Sequence, residues 1–346
     1  MRLPVISTSM TRFFAKGLIV MTLCPLFAGC SQSHFDQIRG NTMGTYFAVV
    51  HDGCAIDENA VTARLVALNN SLSTYQSDSL ISVFNDSDAG EERPLDEDLY
   101  KPLAAAQRIF AASQGAFDPT VGPLVDLWGF GPGAVTDAPS EKEIAQVKAL
   151  IGFEKVRFDE RRLSKLVSGL HLDLSAIAKG YAVDELSRLA SDQRCENYMV
   201  DIGGEIVVKG VNASGQPWRV GIETPDPQAQ GSVALVLTLS DRAVATSGDY
   251  RNFRMVDGQR VDHVMDPRTG MPASNQVVSA TVIDDSAMLA DAWATAAMVL
   301  GVEEALALSE EEGFALLLMS REASDMAVQI HYNEAMRTYA LGLDES

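Results

Sequence analysis

The run Leu289-Ala-Asp-Ala-Trp-Ala-Thr-Ala-Ala-Met298 constrains this chain most, because it places a carboxylate and a hydroxyl in an otherwise apolar helix. Ser286 is an N-cap residue ahead of the run and Gly301 a stop after it, so the local chemistry specifies an α-helix. At a spacing of i, i+4, Asp291 and Thr295 project from one face. Two hard oxygen donors side by side suit Mg²⁺ rather than zinc. The same pair is also compatible with an Asp at the edge of a core helix and a Thr bonded back to a carbonyl. The rest of the chain has to decide between them.

The first 29 residues read as a targeting segment. Arg2, Arg12 and Lys16 form a positive n-region, and the apolar stretch from Gly17 to Phe27 is too short to span a bilayer. The segment ends in Leu26-Phe-Ala-Gly-Cys30, similar to a bacterial lipobox in which Cys30 becomes the acylated N-terminus. Phe27 stands where leucine is usual, which leaves simple secretion open. Removing residues 1–29 takes away three cations and no acids, moving the formal net charge from −20 to −23. Nucleic acid is thereby excluded as a partner, since its phosphates would be repelled. Cys54 and Cys195 can pair in an oxidising compartment, although two cysteines alone do not specify it. The chain has no CxxC, HExxH or His cluster, which argues against zinc and redox-thiol chemistry.

Residues 30–41 read as a polar tether and residues 42–346 as one domain, with no repeat or low-complexity linker dividing it. Periodicity predicts helices over Glu58–Ser71 (N-cap Asp57), Asp96–Ser113, after Ser140, over Ile177–Ala190, after Ser286 and over Val302–Glu312. Ser140-Glu-Lys-Glu143 is a capping box. Strands are predicted at Thr45–His51, Lys155–Phe158, Leu163–Val167, at Tyr198 onward, and at Glu205–Lys209, Trp218–Glu223 and Val233–Ser240. Phe253–Val256, Arg260–Val264, Gln276–Ile283, Phe314–Met319, Ala327–Tyr332 and Met336–Ala340 complete them, with Asp257-Gly258 a hairpin turn. This pattern is α+β, one compact domain of largely antiparallel sheet with interspersed helices.

Several short motifs carry chemistry. Thr42-Met-Gly-Thr45 joins hydroxyls to a glycine that allows close backbone approach, and Leu72-Ser-Thr-Tyr75 adds an aromatic that either stacks on a planar ring or packs in the core. Ala116-Phe-Asp-Pro-Thr-Val-Gly-Pro123 surrounds Asp118 with rigid residues. Leu172-Asp-Leu-Ser-Ala-Ile-Ala-Lys-Gly180 opens a helix whose free amides favour anions. Lys179 opposes that dipole and makes sense there if it faces an anion. His263 lies among acidic and turn-forming residues, where Asp262 and Asp266 can orient it or raise its pKa. There is no GxGxxG and no GxxxxGK[ST], so neither a Rossmann site nor a P-loop is present.

Taken in order, Thr42-Met-Gly-Thr45, Leu72-Ser-Thr-Tyr75, Phe117-Asp-Pro119, Asp173-Leu-Ser-Ala-Ile-Ala-Lys-Gly180, Asp201-Ile-Gly-Gly204, Thr246-Ser-Gly-Asp-Tyr250, His263-Val-Met-Asp-Pro267 and Asp291-Ala-Trp-Ala-Thr295 resemble the ApbE flavin transferases. The resemblance spans nearly all of residues 40–340. It implies a lipoprotein of the bacterial periplasm that cleaves FAD with Mg²⁺. FMN is joined by a phosphoester to a threonine, sometimes a serine, of an acceptor flavoprotein such as a membrane redox pump subunit, and AMP is released. Residue by residue, it implies Asp291, Thr295 and the carbonyl of Ala176 as metal ligands. Met43, Ser73, Thr74, Tyr75, Asp118 and Lys179 become flavin-nucleotide contacts, and His263 an acid–base or phosphate-orienting group near the pyrophosphate. A Mg²⁺-dependent FAD pyrophosphatase uses the same residues with water as acceptor. A flavin-storage lipoprotein would not need the metal pair.

Overall fold

Residues spread over some three hundred positions assemble into an antiparallel sheet of eight described strands whose spatial order repeats the chain order. They are β1 (Asp36–Thr42), β2 (Thr45–His51), β3 (Tyr198–Ile202), β4 (Glu205–Lys209), β5 (Arg242–Gly248), β6 (Val277–Asp284), β7 (Ala315–Arg321) and β8 (Val328–Tyr332). The computed structural model describes residues 35–130, 137–226, 231–248, 253–256, 259–273, 275–321 and 327–341. The targeting segment with Cys30, the Asp257-Gly258 turn and Asp249–Tyr250 of the Thr246 motif lie outside them.

Long insertions hang from this meander. Between β2 and β3 come helices α1 (Glu58–Leu72), α2 (Glu97–Ala112) and α3 (Ser175–Asp192); between β6 and β7 come α4 (Ala287–Leu300) and α5 (Val302–Glu312). Between β4 and β5 the chain makes Trp218–Glu223 and Val233–Leu239, which Ala340–Leu341 completes as a three-stranded sheet. Successive residues of the central strands enter different cores. Ala243, Ala245, Leu316 and Leu318 pack with the helices, whereas Val244, Leu317 and Met319 pack with Trp218, Leu237 and Leu239 of the small sheet. A strand covered on both faces needs no polar side, and β6 is buried at every position but its last. This is the α+β fold that the sequence pattern implies.

The structure adds short helices at Leu80–Asn85 and Gly122–Leu127 to that pattern and differs from it elsewhere as well. Asp36–Asn41, read as tether, belong to β1, which pairs with β2 from Asp36↔His51 to Thr42↔Thr45. An edge strand that buries only Ile38 and Thr42 fully can be this polar. Residues 242–248, unmarked as strand, form β5 at the sheet centre, because Ala243 and Ala245 are small enough for α4 to lie against them. Met336 belongs to a short helix, Glu334–Arg337, because Asn333 accepts the Met336 amide as N-cap; only Ala340–Leu341 is strand.

The α3–α4 junction positions the metal-type residues. A Cβ on Gly180 would lie 2.1 Å from the carbonyl oxygen of Ala287, so no other residue allows this approach. Four residues on, Asp184 of α3 accepts Ser286 Oγ at 2.6 Å and the amides of Ala287 and Met288 at 2.8 and 3.0 Å. Burial raises its carboxyl pKa while these bonds lower it. One helix thus caps the other. Asp184→Ala is expected to destabilise the fold by about 2 kcal/mol, the scale of a lost cap with charged hydrogen bonds, read by denaturant melts. Asp184→Asn should lose less. A disulfide joins Cys54 after β2 to Cys195 before β3, across a separation of 141 residues. The pairing that sequence left open is therefore made.

Candidate functional site

Where α3 begins, two cavities of about 480 and 490 Å³ meet, sharing Asp173, Ser175 and Lys179 in their walls. The first is lined by Asp118, Ala176, Lys179, His263, Asp291 and Thr295. The second is lined by Met43, Ser73, Thr74 and Tyr75. Every site residue named from the sequence therefore faces one continuous cleft, although some stand more than two hundred positions apart. Leu174 supplies no side-chain cap to α3; Asp173 Oδ1 accepts the Ser175 amide at 2.9 Å and the Leu174 carbonyl the Ile177 amide at 3.0 Å, so of the first-turn amides that of Ala176, which lines the cleft, is left for a ligand.

The electrostatics of the first cavity centre on a buried cluster. Lys179 Nζ lies 3.0 Å from Glu205 Oε1 and 3.5 Å from Asp291 Oδ2, and the Gly180 amide donates to Asp291 Oδ2 at 3.1 Å. Burial opposes the charge on Lys179, yet Asp291 and Glu205 together hold its pKa above the ordinary lysine value. Lys179 thus faces a pair of carboxylates while lining both cavities. Burial and the nearby Asp291 push Glu205 up to about 7, with Lys179 pulling the other way. Glu205 Oε2 is buried with no hydrogen-bond partner among the described residues. Thr295 Oγ1 stands 3.2 Å from Ser247 Oγ. Asp291, Thr295, Ala176 and Glu205 line this cavity and offer it oxygen donors, a chemistry that fits a hard divalent cation and not a soft one.

Other predicted residues have more local roles as well. Met43 and Gly44 both have positive φ, 48° and 74°, and form the tight turn between β1 and β2. Tyr75 is wholly exposed beside the second cavity, which rules out the core-packing alternative. Asp118 is buried and accepts the Thr120 amide and hydroxyl at 2.8 and 2.7 Å; burial raises its pKa against those bonds. His263 packs near Phe130, ring centroids 6.3 Å apart. Asp266 accepts from the Arg268 guanidinium with both carboxylate oxygens, each at 3.0 Å. Glu205 and Ser247 were missed by the sequence reading. Their only signal was position, Glu205 directly after Gly203-Gly204 and Ser247 inside the Thr246 motif.

Fold and cleft together define an α+β enzyme whose oxygen-lined site sits where two helices meet an antiparallel sheet. Residues 43–318 match the model of the ApbE family, and the chain belongs to that family. It is 40% identical over 310 residues to the FAD:protein FMN transferase of Vibrio cholerae serotype O1, covering 87% of this chain and 92% of that protein. With the FAD:protein FMN transferase of Escherichia coli K12 it shares 36% identity over 315 residues, 86% of this chain and 90% of that one. Among solved structures, the flavin transferase ApbE from Vibrio cholerae superposes with a TM-score of 0.80 at 37% identity, covering 88% of this chain and 99% of that one. The flavinyl transferase ApbE of Pseudomonas stutzeri gives 0.78 at 38% identity, covering 88% and 96%.

Proposed function

We propose that this protein transfers FMN from FAD to a threonine or serine hydroxyl of an acceptor protein, with Mg²⁺ bound, and releases AMP. The observation that carries this reading is the Asp291–Lys179–Glu205 cluster near the start of α3, adjoining a cavity with exposed Tyr75 at its wall. That arrangement places carboxylates for a metal, the Ala176 amide for phosphate and an aromatic for a ring along one cleft. A bound Mg²⁺ would supply charge neutralisation for the pyrophosphate and the leaving AMP.

The chain's own residues do the remaining work. Asp291, Thr295 and the Ala176 carbonyl would hold the metal. The Ala176 amide orients phosphate, and Met43, Ser73, Thr74, Tyr75, Asp118 and Lys179 contact the dinucleotide. His263 takes the proton of the acceptor hydroxyl as its oxygen bonds to the FMN-side phosphorus and the P–O bond to AMP breaks. The Cys54–Cys195 disulfide and the N-terminal segment support a periplasmic location, with Cys30 as the lipid anchor. Incubating the processed protein with FAD, Mg²⁺ and a threonine-bearing acceptor domain, then weighing the acceptor intact, tests the reading. A gain of one FMN less water is expected; free FMN and AMP with unmodified acceptor would identify a pyrophosphatase instead.

Lys179 has a distinct predicted effect. Its ammonium holds the two carboxylates together before metal binds, so Lys179→Ala should lower the melting point of the metal-free protein, by about 1–3 kcal/mol in stability. Because binding to the native state stabilises it, Mg²⁺ should then raise the melting point more than in the unsubstituted protein. Equal Mg²⁺ shifts in both would show that Lys179 does not compete for the metal site.

A further inference from the structure

A third cavity, of about 600 Å³, lies between the main sheet and the small one, and shares Gly203, Thr246 and Gly248 with the catalytic cavity. Its other wall is Arg219 through Glu223, five consecutive residues. Five in a row cannot all present side chains to one space, so the cavity runs along the edge of that strand rather than its face. Among the described residues Trp218–Glu223 is indeed the outer strand of its sheet and pairs only with Val233–Leu239.

The hydrogen-bond parity shows which groups face the groove. Arg219 stands opposite Thr238. The Thr238 amide donates away from that pair, to the Tyr339 carbonyl at 2.7 Å on the far side. In an antiparallel ladder, opposed residues either exchange both bonds or neither. Arg219 and, two residues on, Gly221 therefore turn their N–H and C=O groups outward into the groove, and no described residue takes them up. Arg219 also makes no ion pair among the described residues. The groove floor is lined by Gly203, Gly204 and Gly248, which keep it open to another backbone.

We propose that the acceptor's extended, hydroxyl-bearing segment docks here as an added strand on the Arg219–Gly221 edge, which lays its threonine or serine over Gly203, Thr246 and Gly248 toward the phosphate. The proposal rests on the transferase reading. β-Addition draws affinity from main-chain bonds and leaves side chains to select sequence, so one edge serves acceptors that share only a short extended motif. The groove approaches the catalytic cavity by residues other than Asp173, Ser175 and Lys179, through which the dinucleotide half joins it. Acceptor and leaving nucleotide are thereby kept on separate paths.

Gly221→Pro removes one outward amide without touching the bonds to Val233–Leu239, and proline is tolerated on edge strands. It should raise the acceptor KM by about 3- to 10-fold, the worth of one or two hydrogen bonds. FAD affinity serves as the control for an intact cleft. Gly221→Ala keeps the amide and should keep the acceptor KM. Independently of any variant, hydrogen exchange at the Arg219 and Gly221 amides of the unsubstituted protein should slow when an acceptor with its threonine changed to valine is added with FAD. An unchanged KM in Gly221→Pro, or unchanged exchange while the parent acceptor is still flavinylated, would overturn the docking site. Absence of flavinylation by the unsubstituted protein would overturn the transferase reading, and this site with it.

Discussion

Asp291→Ala is expected to lower the transfer rate by at least about 10²–10³-fold, the usual consequence of removing one preorganised charge-stabilising group. Two effects combine. The variant loses the carboxylate of the proposed Ala176–Asp291–Thr295 ligands, and it leaves Lys179 with Glu205 as its remaining carboxylate partner among the described residues. A positive ammonium freed at the metal position also repels the cation that should bind there. Asp291→Asn separates these contributions, because it can still accept the Gly180 amide while carrying no charge. Its transfer rate should fall nearly as far, with the fold better preserved. Thr295→Ala should lose less than either, since water can replace a neutral ligand. Transfer rates measured across a Mg²⁺ titration check the ordering. Full activity of Asp291→Ala at low Mg²⁺ would remove this residue from the metal site.

His263→Ala is expected to slow transfer by about 10²–10⁴-fold with FAD affinity nearly intact, if the imidazole takes the acceptor's proton. If it orients phosphate in the ground state instead, affinity and rate should fall together. The structure weakens a third possibility, a histidine that merely braces the following turn. That turn is held by Arg268 on Asp266 and by the Gly270 amide on the Asp266 carbonyl at 2.8 Å. The melting temperature should therefore hardly change. FAD affinity, single-turnover rate and melting temperature on this one variant distinguish the roles, and a wild-type rate would exclude His263 from the chemistry.

Both predictions concern residues that the sequence alone had marked, and the reason is local. Asp291 and Thr295 share a helical face by their spacing, whatever the helix packs against. Asp57, Ser140 and Ser286 do cap their helices, accepting from Asn59, Glu143 and Leu289, because capping is decided within four residues. Strands were less legible. β5 is Arg-Ala-Val-Ala-Thr-Ser-Gly, a composition with little strand preference, and it lies at the sheet centre because α4 requires small residues beneath it. β1 looked like a polar tether because an edge strand needs few buried positions.

The amino-acid sequence by itself determined the α+β class, the capped helices, the oxygen-donor pair and the motifs that end up around one cleft. Each follows from chemistry within a few residues, or from a pattern of motifs. Only the tertiary structure decided that Lys179 answers Glu205 and Asp291, that Glu205 is left with an orphaned oxygen, that Cys54 meets Cys195, and that the Arg219–Gly221 edge opens toward the catalytic cavity. Those are meetings of distant segments. Their geometry depends on how closely α3 and α4 pack at Gly180 and on which face of the sheet each strand residue enters, and neither is encoded in any single stretch of chain.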